Sequence, residues 1–266
     1  MIQANFFKNG ITQMFLSTFS FAMANVFVKQ LAKMPVMEIV FFRCLIGMFC
    51  YIGIRQAKVA WQGTNKLYLM SRGIAGTVAL VLFFTTVQNI PLASATTIQY
   101  LSPIFTAFIA IFLLKESVKF MQWIFYALAF SGVLLMKSFD PRVSLFYLSL
   151  GIISAFGSGL AYNFVRKLRD AEHPLVVILY FQIVGLIVSF PVLFFVWQTP
   201  IGLEWLYLLL VGIFSQLGQI FLTNAFSREK AAGVSIIIYT GLVYAILIGW
   251  IFYGEKQTVS TFFGMS

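Results

Sequence analysis

The chain has few charged side chains and almost none of the groups that carry out covalent chemistry. Only 10% of its 266 residues are charged, whereas about 25% are charged in a typical soluble domain. It contains one histidine, His173, and two aspartates, Asp140 and Asp170, all in predicted loops. The H-E-x-x-H spacing of zinc proteases and the Gly-rich phosphate loop of ATPases do not occur. The sequence therefore predicts a protein that is not an enzyme, needs no cofactor and does not itself hydrolyse ATP.

Cysteine is also scarce. The two cysteines, Cys44 and Cys50, lie six residues apart on one apolar stretch. This spacing places them on different faces of a helix, so neither a disulfide nor a metal site is predicted. We expect both side chains to face lipid or the protein core.

Apolar residues, in contrast, occur in long runs. Hydrophobic residues make up 61% of the chain, and its mean hydropathy is +0.93. A run of about 20 apolar residues can cross a bilayer as a helix, so we predict an all-α integral membrane protein. The predicted spans are residues 10–30, 37–55, 67–88, 92–114, 120–138, 143–165, 174–198, 203–227 and 231–253. A tenth span starts near Thr258, and we expect it to be truncated in the sequence given, which reaches Ser266.

The chain matches itself when it is shifted by 139 residues. The coinciding pairs include Pro35 and Pro174, Phe42 and Phe181, Gly73 and Gly212, and Tyr100 and Tyr239. Each copy holds five predicted spans, and an odd number makes the second copy enter the membrane from the opposite side. We therefore predict ten transmembrane helices in two inverted five-helix repeats, residues 1–140 and 141–266, with a substrate site between them.

Basic residues are distributed unequally between the predicted loops. If the N-terminus is cytoplasmic, twelve Lys and Arg residues, including Arg72, lie on the cytoplasmic side and five on the outer side. Cytoplasmic loops of membrane proteins carry such an excess. The net charge of +10 therefore indicates topology in the cytoplasmic (inner) membrane. Because the charges are scattered over short loops, they do not indicate nucleic-acid binding.

Arg43 is the one charge that the sequence places well inside a span. Placing a cation there costs free energy in the membrane, which favours a functional role for Arg43. One interpretation is an electrostatic or gating residue that faces a cavity, with Glu38 near it. The other is that Arg43 reaches toward the outer surface, or pairs with Glu38 or Glu255 for structure. The sequence leaves both open.

Polar residues within the apolar spans mark the candidate substrate site. Tyr100 on span four and its repeat mate Tyr239 on span nine offer aromatic walls with hydroxyl groups, which suits an organic metabolite. Pro103 should kink or open span four. A polar stripe on span eight adds two hydrogen-bonding amides. The predicted substrate contacts are Tyr100, Tyr239, Gln216 and Gln219, with Gln99, Asn25 and Asn163 as secondary contacts. Helix–helix hydrogen bonding is the alternative for these side chains.

Two segments resemble the drug/metabolite transporter superfamily, EamA type. Residues 37–43, MEIVFFR, are similar to the family's glutamate-to-arginine stretch on span two. Residues 93–98, ASATTI, continuing through Pro103 to Glu116, are similar to its span-four signature. The resemblance covers the whole chain. It implies ten helices, cytoplasmic termini, a cavity lined mainly by spans 1, 3, 4, 6, 8 and 9, and peripheral spans 5 and 10.

These observations together predict a secondary transporter that acts as a monomer or homodimer in the lipid bilayer. We expect it to move a small organic metabolite, such as an amino acid or related compound, by alternating access. The alternative is a non-transport scaffold or a channel subunit. Because no carboxylate or histidine lies in mid-span, we expect facilitated diffusion or exchange, or a proton site near a helix end such as Glu38.

Overall fold

In a computed structural model of the protein, residues 9–117, 120–139 and 143–254 are described, and these residues form α-helices and no strand. The helices are α1 (Gly10–Gln30), α2 (Val36–Gly47), α3 (Cys50–Gln56), α4 (Lys66–Asn89), α5 (Leu92–Gln99), α6 (Ser102–Leu113), α7 (Phe120–Phe139), α8 (Leu145–Leu168), α9 (Pro174–Val196), α10 (Leu203–Arg228), α11 (Ala231–Ile237) and α12 (Thr240–Tyr253).

The first nine predicted spans are all helical, with ends within three residues of those expected. Seven of them are long and apolar enough to cross a membrane when only the described residues are counted. The protein is therefore an all-helical integral membrane protein. The predicted tenth span and Glu255 lie outside the described residues.

Three spans consist of two helices that are separated by a two-residue break. The break in span four falls at Tyr100 and Leu101, between Gln99 and Pro103. The proline ring clashes with the carbonyl four residues earlier, at Gln99, where α5 ends. Span nine breaks at Ile238 and Tyr239, within one residue of the repeat-related position. The predicted opening of span four is thus confirmed, and span nine has the same feature without a proline.

The helices pack in pairs that correspond under the 139-residue shift. The most extensive contacts join α1 with α10 and α4 with α8. The shift carries α1 onto α8 and α4 onto α10, so these two pairs are counterparts. The contacts of α9 with α4 and of α2 with α10 correspond in the same way. Spans four and nine pack antiparallel to each other, because α5 packs against α12 and α11 against α6.

Small residues allow the close approach in these pairs. The Ser17 hydroxyl on α1 donates to the Gly218 carbonyl on α10 at 2.9 Å. A Cβ at Gly159 on α8 would lie 2.9 Å from the Thr106 nitrogen of α6, and one at Gly73 on α4 would overlap Val184 of α9. Such glycine and serine contacts are typical of helix packing in membranes.

Candidate functional site

A partly open cavity of about 150 Å³ lies where the two predicted halves meet. Its walls come from α1, α2, α4, α5 and α6 of the first half and from α8, α9, α10 and α12 of the second. The break in span four opens onto it through Tyr100, and the break in span nine through Ile238. The cavity is therefore bounded by both halves and by both interrupted helices.

Tyr100 forms one aromatic wall of the cavity. Its ring centre lies 5.6 Å from that of Tyr239, at an interplanar angle of 41°. The structure thus brings the two repeat-related tyrosines together, but only Tyr100 lines the cavity. The Tyr100 hydroxyl lies against Gly241, where a Cβ would overlap it. Glycine at this position therefore leaves room for the tyrosine.

Three predicted amide side chains line the cavity: Gln99, Gln219 and Asn25. Gln99 Nε2 donates to the Ser158 hydroxyl at 2.8 Å, and Gln99 Oε1 accepts from the Ser154 hydroxyl at 3.0 Å. Gln219 Nε2 donates to Thr223 on its own helix at 3.1 Å. Gln99 is therefore held by α8, whereas Gln219 has only this contact within α10 among the hydrogen bonds described.

Three other predicted residues lie away from this cavity. Gln216 Oε1 accepts from Gln182 Nε2 at 2.7 Å, which joins α10 to α9. Asn163 Nδ2 donates to the carbonyl of Thr106 at 2.9 Å and so joins α8 to α6. Glu38 Oε2 accepts from the backbone nitrogen of Gln198 at 3.1 Å. In this structure all three side chains connect parts of the protein.

Arg43 faces the cavity. It is only 3% exposed, so it does not reach the surface. Its Cζ lies 5.0 Å from the centre of the Phe181 ring. Its Nε and Nη1 have no hydrogen-bond partner among the described residues, and Glu38 binds Gln198 instead. The structure thus places Arg43 at the cavity wall, away from the surface and not paired with Glu38. Its electrostatic or gating role stays a prediction, and pairing with Glu255 lies outside the described residues.

Arg72 is a second cation of the same wall, and the sequence analysis placed it wrongly among the cytoplasmic charges. It is 2% exposed and lines the cavity. Its Cζ lies 4.2 Å from the Phe181 ring centre, and its Nε and Nη1 also lack partners among the described residues. The sequence does contain a signal for this position. Arg72 lies six residues after Lys66, where α4 begins, which corresponds to about 9 Å along the helix at a rise of about 1.5 Å per residue. The remaining basic residues still favour the same topology.

The two guanidinium groups give the cavity a positive wall. Both lie on Phe181, so their Cζ atoms can be no further apart than the sum of their distances to its centre. At a separation of about 9 Å, two such charges repel by roughly 2 kcal/mol at an effective dielectric of about 20. The electron-rich ring face offsets part of this. Among the described lining residues there is no aspartate or glutamate.

The residues that the structure describes contain no candidate metal site. Across residues 9–117, 120–139 and 143–254, no three His, Cys, Asp or Glu side chains cluster. The two cysteines, Cys44 and Cys50, are both buried and unbridged. The side chains that line the cavity are arginines, amides, hydroxyls, aromatic rings and aliphatic groups.

The sequence profile of the EamA-like transporter family matches the chain twice, over residues 8–138 and 145–266. The pseudopaline exporter CntI of Pseudomonas aeruginosa is 34% identical over 261 residues, which covers 97% of this chain and 92% of that protein. The S-adenosylmethionine uptake transporter of Rickettsia prowazekii is 27% identical over 271 residues, covering 97% and 89%. Human solute carrier family 35 member G1 is 29% identical over 273 residues, covering 94% and 73%.

A solved crystal structure has the same fold. It superposes with a TM-score of 0.73 over 96% of this chain and 92% of the other, at 15% sequence identity. At that identity the similarity supports the arrangement of helices and nothing about the ligand.

Proposed function

Because the chain belongs to the EamA-like transporter family, we propose that it is a secondary transporter that carries a small organic metabolite across the cytoplasmic membrane by alternating access. The family and the relatives are transporters and not enzymes. One relative is named as an exporter and another as an uptake transporter, so the direction of transport is an outcome to measure. The proposed substrate is a small molecule, as it is for the uptake transporter.

The observation that carries this proposal is the cavity between the halves. Substrate sites of inverted-repeat transporters lie at the repeat interface and are formed by interrupted helices. Here the cavity is lined by both halves and opens onto the break at Tyr100 and the break at Ile238. A scaffold has no need for a cavity that carries two arginines and several amides between its helices.

Two observations support the ten-helix inverted repeat that we propose, with halves 1–140 and 141–266. The family profile matches separately within each half. The helix pairs of the described residues also correspond under the 139-residue shift. In this arrangement both termini are cytoplasmic, and the protein acts as a monomer or homodimer.

In the structure described here, Tyr100, Gln99, Gln219 and Asn25 are the proposed substrate contacts. Their hydroxyl and amide groups would replace the water that the substrate loses. Tyr239 contacts the substrate in the opposite-facing state, because alternating access between inverted repeats exchanges the surroundings of repeat mates. Its buried hydroxyl has no hydrogen-bond partner among the described residues and is thus free to take that contact.

Substrate contact by Gln216 and Asn163 stays a prediction for the opposite-facing state as well. Both amides now bind neighbouring helices. These bonds must break or slide when the halves move, and each side chain would then have a free hydrogen-bonding group. Glu38 is buried in the first turn of α2 and accepts a hydrogen bond from the backbone nitrogen of Gln198, and it stays a proposed gating residue.

The test is transport by the purified protein in liposomes. We expect saturable uptake of one or more metabolites from a broad panel, together with counterflow, in which unlabelled substrate inside drives entry of labelled substrate. Counterflow requires a carrier, because a channel gives linear flux without it. Linear flux would replace the carrier by a channel, and no flux for any metabolite would contradict transport.

A matched pair of tyrosine variants connects that assay to the cavity. Tyr100→Ala removes the aromatic wall and should raise the apparent KM about tenfold or more. Tyr51→Ala removes a tyrosine that is 37% exposed on α3, away from the cavity, and should leave transport unchanged. Equal transport by the two variants would show that the substrate does not bind at Tyr100.

A further inference from the structure

We propose that the cavity binds an organic dianion, such as a dicarboxylate, whose two negative groups are held by Arg43 and Arg72. This rests on the proposed function, since it names the substrate class of the same cavity. The side chains are 3% and 2% exposed, and both line the cavity. Each has two nitrogens, Nε and Nη1, without a partner among the described residues.

An unneutralised guanidinium inside a membrane protein is unfavourable, and polar groups there pair with a partner or mark a substrate pathway. The described lining contains no aspartate or glutamate that could neutralise either charge. Two positive charges with free donors therefore match a ligand with two negative charges. A planar carboxylate suits them, because it can accept two parallel hydrogen bonds from one arginine.

The repeat offers an internal comparison that separates a ligand-binding role from a structural one. At the position related to Arg43 stands Gln182, and at the position related to Arg72 stands Val211. Gln182 is buried and pairs with Gln216, while Val211 is fully buried in the core. The second half thus makes the same helix contacts with uncharged side chains. Helix packing does not require an arginine at either position.

The backbone next to Arg72 is shaped for its guanidinium. Gly76 lies one helical turn after Arg72, and a Cβ there would overlap Arg72 Nη1. The same Cβ would lie 3.1 Å from Cε2 of the Phe181 ring. Glycine therefore leaves the space in which the Arg72 guanidinium lies over the Phe181 ring at the cavity wall.

The test uses three molecules of equal size and different charge: succinate, its monoamide succinamate and its diamide succinamide. Purified protein in a neutral detergent is titrated with each at constant ionic strength, and the dissociation constant is read from the shift in thermal unfolding. We expect succinate to bind about tenfold or more tightly than succinamate, since a charge-assisted contact is lost, and succinamide to bind most weakly.

Variants then test whether Arg43 and Arg72 cause the preference for succinate over succinamate. Arg43→Gln and Arg72→Gln should each abolish the preference for succinate over succinamate. Arg55→Gln, which removes an exposed arginine from α3, should keep it. Without ligand, Arg43→Gln and Arg72→Gln should unfold at the same temperature as the unaltered protein or higher, because an unpaired buried charge has been removed. A purely structural arginine would give a lower unfolding temperature instead.

Several results would overturn the proposal. Equal binding of the three molecules, or no binding of succinate, would do so. A preference that either arginine variant retains would also do so. Stabilisation by phosphatidylglycerol but by none of the soluble anions would assign the positive wall to a lipid headgroup.

The proposed function and the anion site can fail separately. Saturable transport of an uncharged metabolite that both arginine variants leave unchanged would keep the transporter and reject the anion site. Charge-dependent binding of succinate without transport of any metabolite would keep the anion site and reject the transporter.

Discussion

Gly76→Ala is the substitution that most directly tests how the cavity holds its charge. The new methyl group would overlap Arg72 Nη1 and would press on Cε2 and Cδ2 of Phe181 at 3.1 and 3.2 Å. The guanidinium is the free end of a flexible side chain and can move, whereas the ring is buried and must shift by a few tenths of an ångström. We expect the Arg72 guanidinium to move off the Phe181 ring and away from its place at the cavity wall.

The substitution should change function far more than stability. Alanine in place of glycine inside a helix gains about 1 kcal/mol, and the pressure on the Phe181 ring offsets a comparable amount. The free energy of unfolding should therefore change by less than about 1 kcal/mol. Loss of one charge-assisted contact to the substrate corresponds to about 1.5–3 kcal/mol, or roughly a 10- to 150-fold rise in KM.

The assay is uptake into liposomes at several substrate concentrations, with thermal unfolding of the same preparations. Gly233→Ala is the matched control, because a Cβ at Gly233 on α11 meets nothing within 4 Å. The effect on binding should also disappear in an Arg72→Gln background, where no guanidinium remains to be displaced. Normal KM in Gly76→Ala, or an unchanged penalty in the double variant, would refute this account of the arginine.

Three further predictions follow from other contacts. Gln219→Leu should raise the apparent KM about tenfold with little change in unfolding temperature, because this buried amide faces the cavity; uptake kinetics measure it. Glu172→Gln should lower the free energy of unfolding by about 1–2 kcal/mol, measured by denaturation, because its Oε1 accepts three hydrogen bonds at the start of α4. Single cysteines at Lys58 or Arg169, in a background without native cysteines, should resist an impermeant label added outside cells, and strong labelling of either would reject the proposed topology.

The helices could be predicted from the sequence, but not all of the breaks within them. Apolar runs determine where a membrane helix begins and ends, since loops must leave the bilayer. The break after Gln99 could be predicted because Pro103 lacks an amide hydrogen and its ring meets the preceding turn. The break at Met48 and Phe49 could not, because no proline accompanies it. It follows Gly47, which lies against the Gln182 side chain of α9, so its surroundings depend on tertiary packing.

The candidate site could also be predicted from the sequence only in part. Tyr100 and Gln219 could be found because a polar side chain in an apolar run needs a polar environment. The same signal selected Gln216 and Asn163, which bind other helices in this structure. Sequence periodicity does not tell a face toward a neighbouring helix from a face toward a cavity. Arg72 was missed for a different reason, because it was counted with the loop charges although it lies six residues after Lys66, where α4 begins.

The unequal charge of the two halves has a consequence for the transport cycle. In the proposed transport cycle, a bound dianion would neutralise Arg43 and Arg72, so that the loaded cavity could close and reopen on the other side. The empty cavity must pass through the closed state with two unneutralised charges, which low-dielectric surroundings make unfavourable. We therefore expect exchange of substrate between the two sides to be faster than net efflux from preloaded liposomes. Arg43→Gln combined with Arg72→Gln should reduce this difference, even though it weakens binding. Equal rates of exchange and net efflux in the unaltered protein would show that the empty carrier reorients freely and that these charges do not link substrate binding to closure.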